Sequence, residues 1–156
     1  FLQDHSFRRP YSIRRVLDRL PGIDKSRILF GVTTSHQEHI QTYQDCDLYL
    51  DTYPHGAGVV TLETLYAGVP LITRYGPQPS GRTASSVLTS IGRPDWIART
   101  AEEFVDKVVY WAGRPDELAK ARKTLRAELL ASPVVAGYPQ AVEAAYRTLW
   151  GEWCKK

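Results

Sequence analysis

The chain has 156 residues, 43% hydrophobic and 24% charged, the balance of a globular protein long enough for one domain with a real core. Its 20 basic and 17 acidic side chains leave a net charge of +3, with short basic clusters such as Arg8-Arg9, Arg14-Arg15 and Lys155-Lys156, whereas a nucleic-acid binder carries a denser basic stripe. No apolar run approaches the roughly 20 residues of a membrane helix, no signal peptide is visible, and Cys46 and Cys154 lack metal spacing, so no nucleic acid, no membrane and a reduced, cytoplasmic setting are expected.

The chain begins at Phe1 and contains no methionine, so it is expected to be a piece of a longer protein. "FLQD" reads as a strand already in progress. Tyr11 to Leu20 carries Ile13, Val16, Leu17 and Leu20 on one helical face, and Pro21-Gly22 ends it. Arg27 to Val32 is a continuous apolar run, as in a strand covered on both faces. "SHQE", Ser35 to Glu38, is a capping box, which starts a helix at His36 that reaches about Asp45. "DLYL", Asp47 to Leu50, alternates like a buried strand. "DTYPHGAG" is a turn, punctuated by Pro54, Gly56 and Gly58. From Val59 to Ala67, Leu62, Leu65 and Tyr66 recur at helical spacing, Gly68 ends the helix, and "VPLIT" returns as a second strand.

That stretch is a βαβ unit whose glycine turn aims unpaired N–H groups, and the positive end of a helix dipole, at whatever sits above the sheet. Beyond it come a loop from Tyr75 to Arg82, a helix over "TASSVLTSIG" closed by Gly92, and a short strand from Asp95 to Ala98. "TAEE", Thr100 to Glu103, is a second capping box. It heads a helix to about Trp111, followed by one from Pro115 to just before Ser132-Pro133 and a last from about Pro139 to Trp153. Strand and helix alternate five times before this tail. The expected fold is therefore α/β, a doubly wound, Rossmann-like parallel sheet with a helical C-terminal tail, one domain over residues 1–156, its ligand at the carboxyl ends of the strands.

The densest chemistry is His55, Gly56 and Gly58, with Glu63 eight positions after His55. The glycines let a pyrophosphate approach the backbone, and Glu63, a turn into the helix, can reach a ribose hydroxyl. The alternative is a plain strand-to-helix turn with a solvated acid. His36 and His39, three apart, have a spacing compatible with a metal, but no third ligand stands nearby and no metal is expected; His39 otherwise packs on a flat ligand ring or faces solvent. Asp51, at a strand end, invites a phospho-acceptor reading, but Asp4 and His5 form only part of the needed acidic pair and no lysine follows Ile97-Ala98-Arg99. Trp96, Trp111, Trp150 and Trp153 fall at apolar positions and are expected in the core.

Several separated segments, "EHIQTYQDCDLYLDTYP", "GAGVVTLETLYAGVPLIT", "PSGRTASSVL" with "SIG", and "LRAELLASPV" with "AYRTLW", resemble the C-terminal catalytic half of the O-GlcNAc transferase and SPINDLY-like glycosyltransferases. The resemblance implies the C-terminal domain of the two-domain GT-B fold, part of an inverting protein O-glycosyltransferase using a UDP-sugar, UDP-GlcNAc foremost, without a metal or other cofactor. It implies diphosphate binding at Gly58, Val59 and Val60, with Thr61 as the remaining side-chain donor, and ribose binding at Glu63. It also implies that His39 lies by the nucleobase, with Thr34 and His36 lining the same pocket. Many relatives have hydroxyls where this chain has Val59 and Val60, and often Asp at Glu63. Arg82 matches an arginine of the family. The acceptor site, the tetratricopeptide repeats that bind acceptor proteins and a phosphate-binding lysine are expected on segments preceding Phe1, so no catalytic residue is assigned here and the segment alone is expected to be inactive. The His55-to-Glu63 spacing also resembles GT-B transferases of small molecules, and a non-catalytic nucleotide-sugar-binding module is the remaining alternative.

Overall fold

The computed structural model describes residues 1–33 and 35–155, and the chain divides into two compact units, Phe1–Cys46 and Asp47–Lys156. In the first unit β1 (Leu2–Gln3) pairs in parallel with β2 (Phe30–Gly31), Leu2 opposite Phe30. α1 (Pro10–Leu17) lies between them in sequence, with Pro10 at a helix start, where a missing N–H costs nothing. It stops short of the expected Leu20 because the Arg19 and Leu20 amides bond only three residues back, to Val16 and Leu17, and tighten the chain into a turn. The strand expected over Arg27 to Val32 is also shorter. Asp24 accepts from the Ser26 N–H at 2.9 Å and caps a 3₁₀ turn over Lys25–Arg27, so pairing starts only at Phe30. α2 (His36–Thr42) begins as its capping box predicts, the Ser35 hydroxyl accepting from the Glu38 N–H at 3.2 Å. A 3₁₀ turn over Tyr43–Asp45 continues it. Tyr43 is the one buried side chain among the described residues of this unit.

In the second unit β3 (Tyr49–Leu50), β4 (Leu71–Arg74) and β5 (Ile97–Ala98) form a parallel sheet in that order, Tyr49 opposite Leu71 and Thr73 opposite Ile97. α3 (Val59–Tyr66) connects β3 to β4, which completes the expected βαβ unit. The helix ends at Gly68, whose φ of +84° favours glycine and whose added Cβ would lie 2.9 Å from the Arg122 carbonyl oxygen. α4 (Thr83–Ser90), α5 (Ala101–Ala112), α6 (Pro115–Ala131) and α7 (Tyr138–Trp153) follow.

Leu71, Ile72 and Thr73 of β4 are all fully buried. Successive strand residues point to opposite faces, so both faces of this central strand are covered, with α3, α4 and α5 packed against it. The core around it joins Leu65, Val87, Leu88, Trp96, Leu125 and Leu129. The strand expected from Asp95 is confined to β5, because Pro94–Trp96 is a 3₁₀ turn that swings the Trp96 ring into the core. Trp111 packs there edge to face, 5.8 Å between ring centroids. Trp150 and Trp153 overturn the expectation for the tryptophans: both are more than two-thirds exposed on α7, which buries none of its side chains. α6 instead supplies the helical layer of the core, through Leu118, Ala121, Leu125 and Leu129.

Candidate functional site

The turn between β3 and α3 is built around Asp51, the first residue past β3. Its carboxylate is buried and accepts three hydrogen bonds: Oδ1 from the Thr52 N–H at 2.9 Å and the Ala57 N–H at 2.8 Å, and Oδ2 from the Thr73 hydroxyl at 2.7 Å. An acid holding two amides and a hydroxyl is structural, so the phospho-acceptor alternative has no support in the geometry. Other bonds close the turn. The Thr52 hydroxyl donates to the His55 carbonyl at 2.6 Å, and the Gly56 N–H donates to the Ser80 carbonyl at 3.2 Å. The Tyr53–Pro54 peptide is cis.

The two glycines differ. Gly56 is buried, and a Cβ on it would sit 3.1 Å from Asp51 Oδ2, so it is glycine to let the carboxylate in. Gly58 is exposed, and a Cβ there would meet nothing within 4 Å. The space a ligand needs is therefore at Gly58. Gly58 caps α3 without a side-chain bond, and among the described residues no acceptor is found for the N–H groups of Gly58, Val59 and Val60. These are the orphan donors of a helix start. Val59 is exposed and Val60 partly so, leaving the main chain as the polar surface there. Thr61 corrects the expectation that its side chain reaches a ligand: it is fully buried and its hydroxyl donates to the Ala57 carbonyl at 2.7 Å, which locks the turn to the helix. Glu63 is half-buried one turn further along, and His55 is exposed on the turn.

Arginines surround the carboxyl edge of this sheet, and the sequence reading passed over two of them. Arg74, the last residue of β4, stacks its guanidinium 3.9 Å from the centre of the Tyr53 ring, and its Nε is buried without a partner. Arg99, just past β5, lies 4.4 Å from the Tyr75 ring centre, and Arg82 lies 4.9 Å from it. Arg82 also donates to the Gly76 carbonyl at 2.9 Å and the Pro77 carbonyl at 2.6 Å, so it clamps the loop after β4. The visible signal for Arg74 and Arg99 was their place, each at the carboxyl end of a strand. The Arg99 N–H donates to Glu103 at 2.6 Å, and that bond holds the Glu103 carboxyl below its ordinary pKa.

The remaining expected residues belong to the first unit. The His39 ring meets Tyr43 edge to face at 5.2 Å, and its Nε2 lies 3.1 Å from the Tyr43 hydroxyl. The His36 and His39 ring centroids are 6.3 Å apart. Thr34 lies outside the described residues. Among the described residues no three His, Cys, Asp or Glu side chains gather as for a metal ion, and no helix is long and apolar enough to cross a membrane.

This is an α/β fold of Rossmann-like type, with a glycine turn and open helix start at the carboxyl end of β3, beside the central strand β4 of a parallel sheet. It matches, with a TM-score of 0.89 and 28% identity, a mutant of the Thermobaculum terrenum O-GlcNAc transferase, over 99% of this chain and 30% of that one. Residues 10–138 match the model of glycosyl transferase family 41, and the chain belongs to that family. Among relatives, the probable UDP-N-acetylglucosamine–peptide N-acetylglucosaminyltransferase SPINDLY of Arabidopsis thaliana is 34% identical over 137 residues, and that of Hordeum vulgare 32% over 136. The matches cover 86% and 85% of this chain but only 15% and 14% of those proteins. The UDP-N-acetylglucosamine–peptide N-acetylglucosaminyltransferase of Caenorhabditis elegans is 32% identical over 101 residues, 65% of this chain and 9% of that protein.

Proposed function

We propose that the chain is the donor-binding part of a longer, inverting protein O-glycosyltransferase that transfers N-acetylglucosamine from UDP-GlcNAc, in a cytoplasmic setting. The observation that carries this reading is the set of N–H groups at Gly58, Val59 and Val60, without acceptors among the described residues and opening onto free space beside Gly58. A diphosphate laid across that helix start meets backbone donors and the positive end of the helix dipole. As the sugar departs, negative charge grows on the leaving phosphate, and donors already fixed in place stabilise it without reorganising. The arginines at the sheet edge add positive charge, and no metal is part of the reading. Glu63 takes the ribose hydroxyls.

The acceptor, a protein hydroxyl, is assigned to other parts of the longer protein. Val59 and Val60, which leave no side-chain hydroxyl at the helix start, favour as a second reading a nucleotide-sugar-binding module without turnover. Sugar transfer by the longer protein separates the two. The test of the donor site itself is calorimetry of this chain with UDP and UMP. UDP is expected to bind more tightly, and equal affinities would remove the diphosphate from the reading.

A further inference from the structure

We infer that Asp51 is the positioning residue of the donor turn: its buried carboxylate decides which backbone N–H groups face the diphosphate. The inference rests on the donor-site reading above and goes beyond it. Of the turn's amides, Asp51 takes those of Thr52 and Ala57 on a single oxygen, and the Ser80 carbonyl takes that of Gly56. Among the described residues the amides left without an acceptor are those of Tyr53 and His55, within the turn, and the consecutive set at Gly58, Val59 and Val60 that opens α3.

The second oxygen fastens the arrangement to the core. Asp51 Oδ2 accepts from Thr73, a fully buried residue of β4 that lies 22 positions away in sequence. Thr61, also fully buried, ties the Ala57 carbonyl to α3, so Ala57 is held from both sides, by its N–H and by its C=O. Gly56 has no side chain where the carboxylate passes. The turn thus has a fixed shape before any ligand arrives. Donors set in advance bind and stabilise charge without the cost of being ordered at that moment. The charge of Asp51 is itself matched by its three donors.

The test uses Asp51→Asn and Thr73→Val in this chain. Asparagine keeps the shape but replaces one acceptor oxygen with a donor. Valine keeps the bulk of Thr73 and removes only the hydroxyl that Oδ2 accepts from. Each variant is first shown to unfold cooperatively, and UDP and UMP affinities are then measured side by side. Asp51→Asn is expected to lower UDP affinity about tenfold, the scale for one hydrogen bond to a charged group, and UMP affinity much less. Thr73→Val is expected to move the same ratio in the same direction by a smaller factor. A merely structural role would weaken both nucleotides together. Amide exchange in the ligand-free chain supplies a second readout, in which the Ala57 N–H is expected to exchange faster in Asp51→Asn.

A wild type that prefers UDP, with Asp51→Asn keeping the full preference, overturns the inference and leaves the donor site standing. Equal UDP and UMP affinities in the wild type sink the diphosphate reading instead. The hold of Asp51 on the turn is then judged by exchange alone, and an Ala57 amide exchanging no faster in the variant overturns it.

Discussion

The two units bury their apolar side chains to very different depths. In the second unit Leu65, Leu71, Ile72, Leu88, Trp96 and Leu125 have essentially no exposed surface, while among the described residues of the first Tyr43 alone is buried and Phe7, Phe30, Leu17 and Val32 remain partly exposed. The glycine turn is attached to the deep core through the Asp51–Thr73 bond and the buried Thr61. The His39 ring instead leans on Tyr43, the buried tyrosine of a shallow unit, and the His36 ring lies 6.3 Å from that of His39. The difference teaches where geometry can be held rigidly. A row of backbone donors needs fixed angles and is mounted on the core, whereas a ring that stacks on a flat ligand tolerates more movement.

The largest effect is expected from truncation in the core. Trp96→Ala should cost about 3–5 kcal/mol of stability in urea denaturation, the usual range for emptying a buried aromatic site. Leu17→Ala, in the first unit, should cost only about 1 kcal/mol, since the side chain is half-covered to begin with. Equal losses would break the comparison between the units.

Next comes a change that touches function but not the core. Glu63→Gln should weaken UDP binding by about 1.5–3 kcal/mol if its carboxylate accepts from the ribose, with little change in melting temperature. A large melting loss at unchanged affinity would make Glu63 a structural acid. Gly56→Ala tests the turn from the other side. Its Cβ would press on Asp51 at 3.1 Å, so a destabilisation of about 1 kcal/mol is expected, together with weaker UDP binding. Gly58→Ala, with open space around its Cβ, should leave stability nearly unchanged.

A pH-dependent effect concerns the outer shell of the second unit, where Arg93 donates to both carboxylate oxygens of Glu128, at 3.0 and 2.7 Å. Burial pushes the Glu128 pKa up, but the bonds from Arg93 and Thr124 outweigh it and leave the group below its ordinary 4.5. A depressed folded-state pKa stabilises the protein above the unfolded value and ceases to do so as pH falls through the folded one. The wild type should therefore exceed Glu128→Gln by about 1 kcal/mol at neutral pH, and the gap should close as pH drops below 4.5. A gap that is constant with pH would mean that the pair acts through packing alone.

Most of the element order was legible because its signals are local. Ser35 and Thr100 cap their helices with the hydroxyl bonds that their capping boxes predict, and Gly68 and Gly92 stand at positive φ just past helix ends. The βαβ unit around the glycine turn was legible for the same reason. Strand length was not: pairing is confined to two residues in each of β1, β2, β3 and β5, and ahead of β2 and β5 the 3₁₀ turns at Lys25–Arg27 and Pro94–Trp96 take residues that propensity assigns to strands. Of the site, Gly58, the helix start at Val59 and the place of Glu63 follow from sequence. The inward turn of Thr61 and the arginines at Arg74 and Arg99 do not.

The sequence by itself determined the alternation of strands and helices, the glycine turn and the family, since each rests on residues close together in the chain or on segments in a fixed order. The tertiary structure alone decided what Asp51 is for and where the tryptophans go. A lone acid after a strand reads equally well as a phosphate acceptor or a turn former until Thr73, 22 residues away, is seen to donate to it. Trp96 and Trp153 are not told apart by their local sequence, yet one is sealed in the core edge to face with Trp111 while the other stands exposed on α7. Burial is a property of the surface a residue meets, and that surface comes from elsewhere in the chain.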